Sequence, residues 1–223
     1  MMSQKRAVSE HYYSLMQYYD TINLFVIFNK HNLEELKMKI LSFAATNSRQ
    51  SINKQLVTFA TEILAERIGA DAEVEFIDLN DYEMPIYSID RENEMGIPAE
   101  AHRFFNQVRD ADATLISFAE HNGSYTAAYK NLYDWASRID MRVYDSKPMV
   151  LLATSPGPGG GQNVLRTAVE TLPHFGADVR GSFSLGKFHD NFDVESGRLK
   201  SPEHRSELTE ILNSLLTEDS IAA

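Results

Sequence analysis

Residues 113–135 read ATLISFAEHNGSYTAAYKNLYDW, and this stretch decides the fold. Its first six residues form an apolar run typical of a buried strand, and residues 119–125 then form a small polar turn that contains Asn122-Gly123. The remainder has apolar residues at helical spacing. In an open α/β sheet, ligands bind outside the carboxyl ends of the strands. The stretch therefore predicts a strand–loop–helix unit with a ligand at the loop.

Strands and helices alternate on both sides of this unit. The predicted strands lie at about 39–45, 73–79, 113–118, 148–154 and 178–185. The predicted helices lie at about 51–68, from about Pro98 onward, at 126–135, from the end of loop 155–161 to about Phe175, and at 202–216. Such alternation is typical of a parallel sheet covered by helices. We therefore predict a flavodoxin-like doubly wound α/β fold with a five-stranded parallel sheet in the order 2-1-3-4-5.

The first 37 residues do not share this pattern. They are rich in Tyr, His and Asn, and no strand or helix period runs through them. One interpretation is that Met38 resembles a natural start, so that residues 1–37 form an upstream extension. The other is an N-terminal arm or helix that packs on the domain or on a partner subunit. We assign residues 38–223 to one domain and leave both interpretations of residues 1–37 open.

Composition narrows the classes of function. The net charge of −11 argues against a nucleic-acid binder, which normally has a basic face. The chain has no cysteine, which excludes disulfides, thiolate catalysis and Cys-ligated metals, so any redox chemistry requires a bound cofactor. No apolar run approaches the roughly 20 residues that span a bilayer, and no signal peptide is evident. We expect a cytoplasmic protein without a membrane partner.

The loop after strand one concentrates donors suited to a phosphate. These side chains are Thr46, Ser48, Arg49, Ser51 and Asn53. The start of the following helix adds free N–H groups and the positive end of its dipole, and an Arg can bind an anion with two hydrogen bonds. The alternative is that one of these hydroxyls or amides simply caps the helix. The clustering of so many donors favours an anion site.

Two more unusual loops follow strands three and four. The first contains Glu120, His121, Asn122, Gly123 and Ser124; its Asn-Gly predicts a tight turn, and we regard Glu120 and His121 as solvated rather than catalytic. The second contains Ser155, Gly157 and Gly159. It matches neither a P-loop nor a Rossmann fingerprint, and indicates either a backbone-rich surface for a flat ligand or a flexible loop.

Strands one, three and four are neighbours in the order 2-1-3-4-5, so all three loops are expected to line one crevice. The histidines are scattered and form no metal-binding motif. The crevice is therefore predicted to bind a flat, phosphorylated ligand without a metal.

The chain from Met38 to about Gly186 resembles the NADPH-dependent FMN reductase family of flavodoxin-like oxidoreductases. The resemblance rests on residues 44–53, 120–135 and 155–161, and the segment 77–85 is similar to the family's second strand and loop. It implies FMN as cofactor and NADPH or NADH as reductant.

The resemblance also implies a role for each loop. Thr46, Ser48, Ser51 and Asn53 would hold the FMN phosphate, whereas Arg49 is offset from the family's usual Arg. Residues 120–124 would line the isoalloxazine, largely through backbone groups, and residues 155, 157 and 159 would cover its other edge. Many members have Pro-Glu-Tyr-Asn where this chain has Ala-Glu-His-Asn at residues 119–122.

The implied activity is hydride transfer from NAD(P)H to FMN and then to a small-molecule acceptor: a quinone, a free flavin, an azo dye or a metal ion. No side chain is expected to act as a dedicated acid or base, and the assembly is expected to be a homodimer or homotetramer. The alternatives are a flavodoxin-like FMN electron carrier that does not oxidise NAD(P)H, and a flavin-free relative.

Overall fold

The apolar runs of the sequence form a central parallel sheet. The computed structural model describes residues 38–69 and 72–216. Its strands are β1 (Met38–Ala45), β2 (Ala72–Ile77), β3 (Ala113–Phe118), β4 (Pro148–Thr154), β5 (Asp178–Leu185), β6 (Phe192–Asp193) and β7 (Arg198–Leu199). Strands β1–β5 form a five-stranded parallel sheet in the order β2-β1-β3-β4-β5, as predicted, and β6 and β7 form a short antiparallel pair.

Helices cover both faces of the sheet. They are α1 (Ile52–Ile68), α2 (Ile89–Met95), α3 (Ala99–Asp110), α4 (Ala127–Ile139), α5 (Gln162–Thr171), α6 (Phe188–Asn191) and α7 (Pro202–Asn213). Short 3-10 turns lie at Leu79–Tyr82, Leu172–Phe175 and Ser214–Leu216. In the described part of the chain, no helix is long and apolar enough to cross a membrane.

Alternate residues of the strands belong to two separate cores. In β1, Leu41 and Phe43 pack with residues of α3, α4 and α5, whereas Ile40 and Ala44 pack with residues of α1 and α7. Successive strand residues point to opposite faces, and both faces here are covered. This explains why β1, β3 and β4 are apolar almost throughout.

The central strands end at the same level. Ala45 at the end of β1 pairs with Phe118 at the end of β3, and Phe118 pairs with Ala153 of β4. The loops that follow these three strands therefore begin side by side. The register thus places the three unusual loops at one edge of the sheet.

Several local predictions differ from the structure. Strand two ends at Ile77, and Leu79–Tyr82 form a 3-10 turn instead of its last residues. Pro98 is the N-cap of α3 and not its first helical residue. The sequence did not predict α2, α6 or the β6–β7 pair. The prediction for residues 1–37 falls outside the described residues.

Candidate functional site

Asn53, at the start of α1, joins the first turn of that helix to two strand ends. Its Oδ1 accepts hydrogen bonds from Ser117 Oγ and from the Thr154 backbone N–H, both at 2.9 Å, and its Nδ2 donates to the Thr154 carbonyl at 3.2 Å. The side chain is only 3% exposed. Ser117 lies in β3 and Thr154 ends β4, so this one side chain fixes the loops after β1, β3 and β4 relative to one another. The structure gives Asn53 this internal role, and the phosphate contact expected from the sequence stays a prediction.

Three of the expected phosphate donors lie together. Thr46, Ser48 and Ser51 line one hollow at the edge of the sheet, together with Lys54 and Asp78. Ser51 is the N-cap of α1 and accepts from the Lys54 backbone N–H at 3.2 Å, which confirms the capping alternative for this residue. A capping hydroxyl still has its own proton to donate, so capping and anion binding are compatible.

Arg49 does not share this hollow. It is exposed on the same loop and is not among the residues that line the hollow. The positive side chain in the lining is instead Lys54, which the sequence analysis did not single out. Its position on the first turn of a predicted helix, directly after the donor cluster, was the available signal.

Lys54 forms an ion pair across the hollow. Its Nζ lies 2.7 Å from Asp78 Oδ2, which follows the end of β2. Partial burial opposes ionisation of Asp78, but hydrogen bonds from Lys54 and Asn80 outweigh it and lower the pKa of Asp78 to about 2. Asp78 is therefore ionised at neutral pH and offsets the charge of Lys54. The hydroxyls of Thr46, Ser48 and Ser51 remain as uncharged donors in this hollow.

The loop after β3 is a tight turn, as its Asn-Gly predicts. The His121 N–H bonds to the Ser124 carbonyl at 3.0 Å, and the Ser124 N–H bonds to the His121 carbonyl at 3.1 Å. Asn122 and Gly123 have φ values of 53° and 76°, as in a type I′ turn. All four residues are exposed. The turn therefore presents a short, rigid stretch of backbone at the edge of the sheet.

Glu120 points away from this exposed turn, toward α5. Its Oε2 accepts from the backbone N–H groups of Asn163 and Val164, both at 3.0 Å, and its Oε1 accepts from Asn163 Nδ2 at 3.2 Å. The side chain thus links the loop after β3 to the helix that follows the loop after β4. The expectation that Glu120 is simply solvated is therefore wrong. The link was not predicted, because Asn163 and Val164 lie more than forty positions from Glu120 along the chain.

The glycines of the loop after β4 are of two kinds. Gly160 and Gly161 have φ values of 59° and 75°, and a Cβ on Gly160 would overlap the Ser184 side chain. Gly157 and Gly159 have nothing within 4 Å of such a Cβ. The fold itself therefore does not require glycine at 157 and 159. Close approach of a flat ligand to this backbone stays the prediction from the sequence for these two glycines.

A cleft lies beside the tight turn, on the β2 side. It has a volume of about 320 Å³ and is lined by Asn47 of the first loop, His121 of the second, six residues between Leu79 and Ile86, and four between Thr126 and Asn131. This size is at the lower end for small-molecule sites. The loop after β4 does not line it. This cleft is therefore not the crevice lined by all three loops that the sequence predicted. The three loops are joined instead by the hydrogen bonds of Asn53 and Glu120.

Helix α4 holds the outer wall of the cleft. Asn131 Oδ1 accepts from the Tyr87 N–H at 2.8 Å, and its Nδ2 donates to the carbonyls of Met84 and Pro85. Trp135 Nε1 also donates to the Pro85 carbonyl, at 2.8 Å. The sequence analysis missed this wall as part of the site. The signal that pointed to it was the similarity of residues 77–85 to the family's second strand and loop.

Fold and site together define a class of protein. A doubly wound parallel sheet, a hydroxyl-lined hollow at the first helix and a backbone-rich edge at the switch point are the features of a flavodoxin-like nucleotide-cofactor protein. Among the described residues, no group of three or more His, Asp or Glu side chains is placed to hold a metal ion.

The chain belongs to the NADPH-dependent FMN reductase family. The family's sequence profile matches residues 38–190, more than half of the chain. The family description makes this protein an NAD(P)H-dependent oxidoreductase with FMN as cofactor, which confirms the resemblance seen in the sequence. The match begins where the alternating strands and helices begin.

Curated relatives and solved structures agree with this assignment. The chain is 34% identical to a 2-hydroxy-1,4-benzoquinone reductase from a Burkholderia species over 126 residues, which cover 56% of this chain and just under two thirds (64%) of that protein. It is 27% identical to an NADPH:quinone oxidoreductase of Arabidopsis thaliana over 183 residues, covering 80% and 90% of the two chains. The structure resembles FerB, a flavoenzyme NAD(P)H:(acceptor) oxidoreductase from Paracoccus denitrificans, with a TM-score of 0.62 at 20% identity, covering 83% and 97% of the two chains. This last similarity concerns the fold alone.

Proposed function

We propose that this protein transfers hydride from NAD(P)H to bound FMN and passes the electrons on to a small-molecule acceptor. A quinone is the acceptor class we favour, since both relatives described above are named for quinones; free flavins, azo dyes and metal ions are the other candidates. The observation that carries the proposal is that Thr46, Ser48 and Ser51 share one hollow, and that their loop begins next to the loop with the exposed backbone turn.

The residues present fit FMN. The hollow offers three hydroxyls next to the N-terminus of α1, and donors beside the positive end of a helix suit a phosphate. The turn at 121–124 offers backbone donors and acceptors to the polar edge of a flat ring. The open space over Gly157 and Gly159 allows such a ring to lie against the backbone of the next loop. We therefore assign the phosphate to the hollow and the ring to these two loops.

FMN supplies the chemistry when bound, accepting a hydride and releasing electrons one or two at a time. The protein's part is to hold and orient. Asn53 keeps the phosphate-binding helix in fixed position against β3 and β4. The cleft beside His121 offers room for one further ring, and we assign the nicotinamide and the acceptor to it in turn.

A comparison of FMN with riboflavin tests the phosphate assignment. The apoprotein is titrated with each, and flavin fluorescence is measured. We expect FMN to bind at least about tenfold more tightly than riboflavin, because only FMN has a phosphate that can bond to the three hydroxyls. In the double variant S48A/S51A that preference is expected to shrink, while riboflavin affinity stays the same. Equal affinity for the two ligands in the wild-type protein would contradict the assignment.

Anaerobic reduction separates the reductase from an electron carrier. The FMN-loaded protein is mixed with NADH or NADPH, and the flavin absorbance near 450 nm is followed. A reductase is bleached by one of them and recovers its colour when a quinone is added. A protein that binds FMN but is bleached by neither is an electron carrier. A protein that takes up no flavin is neither.

The proposal also covers the oligomeric state and the cellular location of the protein. We infer a homodimer or homotetramer in the cytoplasm, because members of the family that the sequence resembles usually assemble this way. Light scattering after gel filtration measures the assembly directly. A monomer at micromolar concentration would contradict this part of the proposal and leave the FMN assignment untouched.

A further inference from the structure

Helix α5 cannot cap its own N-terminus. Its N-cap residue is Gly161, which has no side chain to offer and makes no capping hydrogen bond. A Cβ at this position would lie 3.0 Å from the Ala153 Cβ, and φ is 75°, so a Ser or Asp cap is disfavoured there. The first N–H groups of the helix therefore need an acceptor from elsewhere in the chain.

Glu120 supplies that acceptor from the neighbouring loop. It bonds to the N–H groups of Asn163 and Val164, the second and third residues of α5, which are the donors that an N-cap side chain normally satisfies. Its negative charge also lies at the positive end of the helix dipole. Both carboxylate oxygens accept hydrogen bonds from α5, so the group is engaged in holding the helix.

This cap joins the two loops that we assign to the FMN ring. The loop after β4 is held from behind by the chain after β5, since Lys187 N–H donates to the Gly157 carbonyl and Phe188 N–H donates to the Ser155 carbonyl. Two side chains of the loop after β3 link it to α5. Glu120 bonds to the N-terminal end of the helix, and Tyr125 Oη lies 3.1 Å from Thr171 Oγ1 at its other end. Of these two links, Glu120 is the one next to residues 155–161.

We propose that Glu120 is a positioning residue that sets FMN affinity by fixing the spacing between residues 119–125 and residues 155–161. This inference rests on the proposed function. Without the link, Asn53 and the paired ends of β3 and β4 still hold the first residues of the two loops. The parts of the loops beyond them can then separate in the apoprotein, and only part of the population retains the binding geometry. Apparent affinity falls in proportion to that fraction. The role requires an acceptor atom and does not require a proton-transfer group.

Three variants and one control test the proposal by FMN titration of the apoprotein. E120A removes every acceptor, and we expect its FMN dissociation constant to rise about 10- to 100-fold. E120Q keeps an oxygen that can accept both backbone N–H groups as Oε2 does, so it is expected to bind within about fivefold of the wild type. E170A removes an exposed carboxylate on the same helix and should bind like the wild type. Should E120A unfold, E120D replaces it, since its carboxylate is one methylene too short to reach α5.

Two further measurements distinguish positioning from other roles. Hydrogen exchange on the apoproteins should show faster exchange at Asn163 and Val164 in E120A than in E120Q or E170A. Turnover is the second measurement: the positioning role predicts that E120Q keeps its turnover when FMN is saturating. An acid or base role predicts that E120Q loses turnover as severely as E120A although it binds FMN normally.

The outcomes separate this inference from the proposed function. Wild-type protein that takes up no FMN overturns both. Wild-type protein that binds FMN, with E120A binding equally tightly or E120Q binding as weakly as E120A, overturns the role of Glu120 alone. The graded order of wild type, E120Q and E120A supports it.

Discussion

At the scale of single residues, the buried side chain of Asn53 holds the candidate site together through hydrogen bonds within the protein. Asn53 accepts two hydrogen bonds and donates one, and all three go to the ends of β3 and β4. An unmatched polar group in such a place costs more than an ordinary hydrogen bond contributes. Loss of the Asn53 side chain would leave two such groups, the Thr154 N–H and the Ser117 hydroxyl, buried without their acceptor.

Replacing Asn53 by Ala is expected to lower the free energy of unfolding by about 2–3 kcal/mol. The loss comes from three hydrogen bonds and from the buried donors that are left unpaired. Urea denaturation of the apoprotein measures it. The matched control is N106A, at an exposed position of α3, where we expect a change within about 0.5 kcal/mol. Equal stability of the two variants would show that Asn53 does not hold the strand ends.

Two buried tyrosines of α4 differ in the hydrogen bonding of their hydroxyl groups. Tyr129 and Tyr133 stack with ring centroids 5.8 Å apart, and both belong to the core, as their helical spacing predicts. Tyr129 Oη lies 2.7 Å from Tyr144 Oη, whereas the buried hydroxyl of Tyr133 has no hydrogen-bond partner among the described residues. Burial raises the pKa of Tyr129 well above its ordinary value, so this hydroxyl stays protonated.

The two hydroxyls are therefore expected to contribute differently to stability. Y129F leaves the Tyr144 hydroxyl buried without its partner and should cost about 1–2 kcal/mol in the free energy of unfolding. Y133F removes a buried hydroxyl that has no partner in the described part of the chain, and it should be neutral or slightly stabilising. Both are measured by urea denaturation of the apoprotein. A cost for Y133F as large as that for Y129F would mean that the Tyr133 hydroxyl is paired in solution.

The sequence predicted which residues gather at the site better than it predicted what they do. The cluster at 46–53 was recognised as a set of donors, and three of its members do share a hollow. The role of Asn53 was not foreseen, because its main partner, Thr154, is 101 residues away along the chain. Glu120 presents the same difficulty. Such pairings depend on the register of the sheet, which a single sequence does not specify residue by residue.

At the scale of elements, an ion pair joins the start of α1 to the end of β2. Lys54 Nζ lies 2.7 Å from Asp78 Oδ2, and Asp78 also caps the short turn at Leu79–Tyr82. β2 is the edge strand of the sheet, and its side chains are mostly exposed or half-buried. The pair therefore connects an edge strand, with few buried contacts, to the helix that begins the phosphate hollow.

This ion pair gives part of the stability a defined pH dependence. The pKa of Asp78 is about 2 in the folded protein and near 3.8 without the fold. A lowered pKa means that the stabilisation is present above about pH 4 and is lost as the pH falls toward 2. The Asp78 side chain is 34% exposed, so solvent screening limits the effect to about 1 kcal/mol or less.

D78N is the variant that isolates this contribution. We expect it to be less stable than the wild type at pH 6 and the difference to shrink between pH 4 and pH 3, measured by urea denaturation at each pH. Asn retains the capping ability of Asp at the following turn. D110N, at the exposed end of α3, serves as the control. A difference that stays constant down to pH 3 would show that the ion pair does not cause it.

Predictability also varies among the elements. The central strands were placed to within about one residue, because strands buried on both faces form continuous apolar runs bounded by polar loops. Helix α2 was missed because none of its residues is buried, so it has no apolar periodicity to detect. Ile86, just before α2, and Ile89, its first residue, are 75% and 54% exposed, so their apolar side chains do not face the core.

At the scale of the whole molecule, charge is expected to select among acceptors. The net charge is −11, and among the residues that line the cleft Glu83 is negative while none is Lys or Arg. Such a field repels anions over a distance that depends on ionic strength, roughly 30 Å at 0.01 M and 8 Å at 0.15 M. Neutral acceptors do not experience this repulsion.

The ionic-strength dependence of turnover tests this selection. With NAD(P)H saturating, we expect kcat/KM for the anion ferricyanide to rise about 3- to 10-fold as salt increases from about 0.01 to 0.15 M, because screening removes the repulsion. For neutral benzoquinone, kcat/KM should change less than about twofold over the same range. The quinone also serves as the control for any effect of salt on the protein itself. A ferricyanide rate that falls with salt would indicate a local basic docking site, and would show that the net charge does not govern access to the cleft.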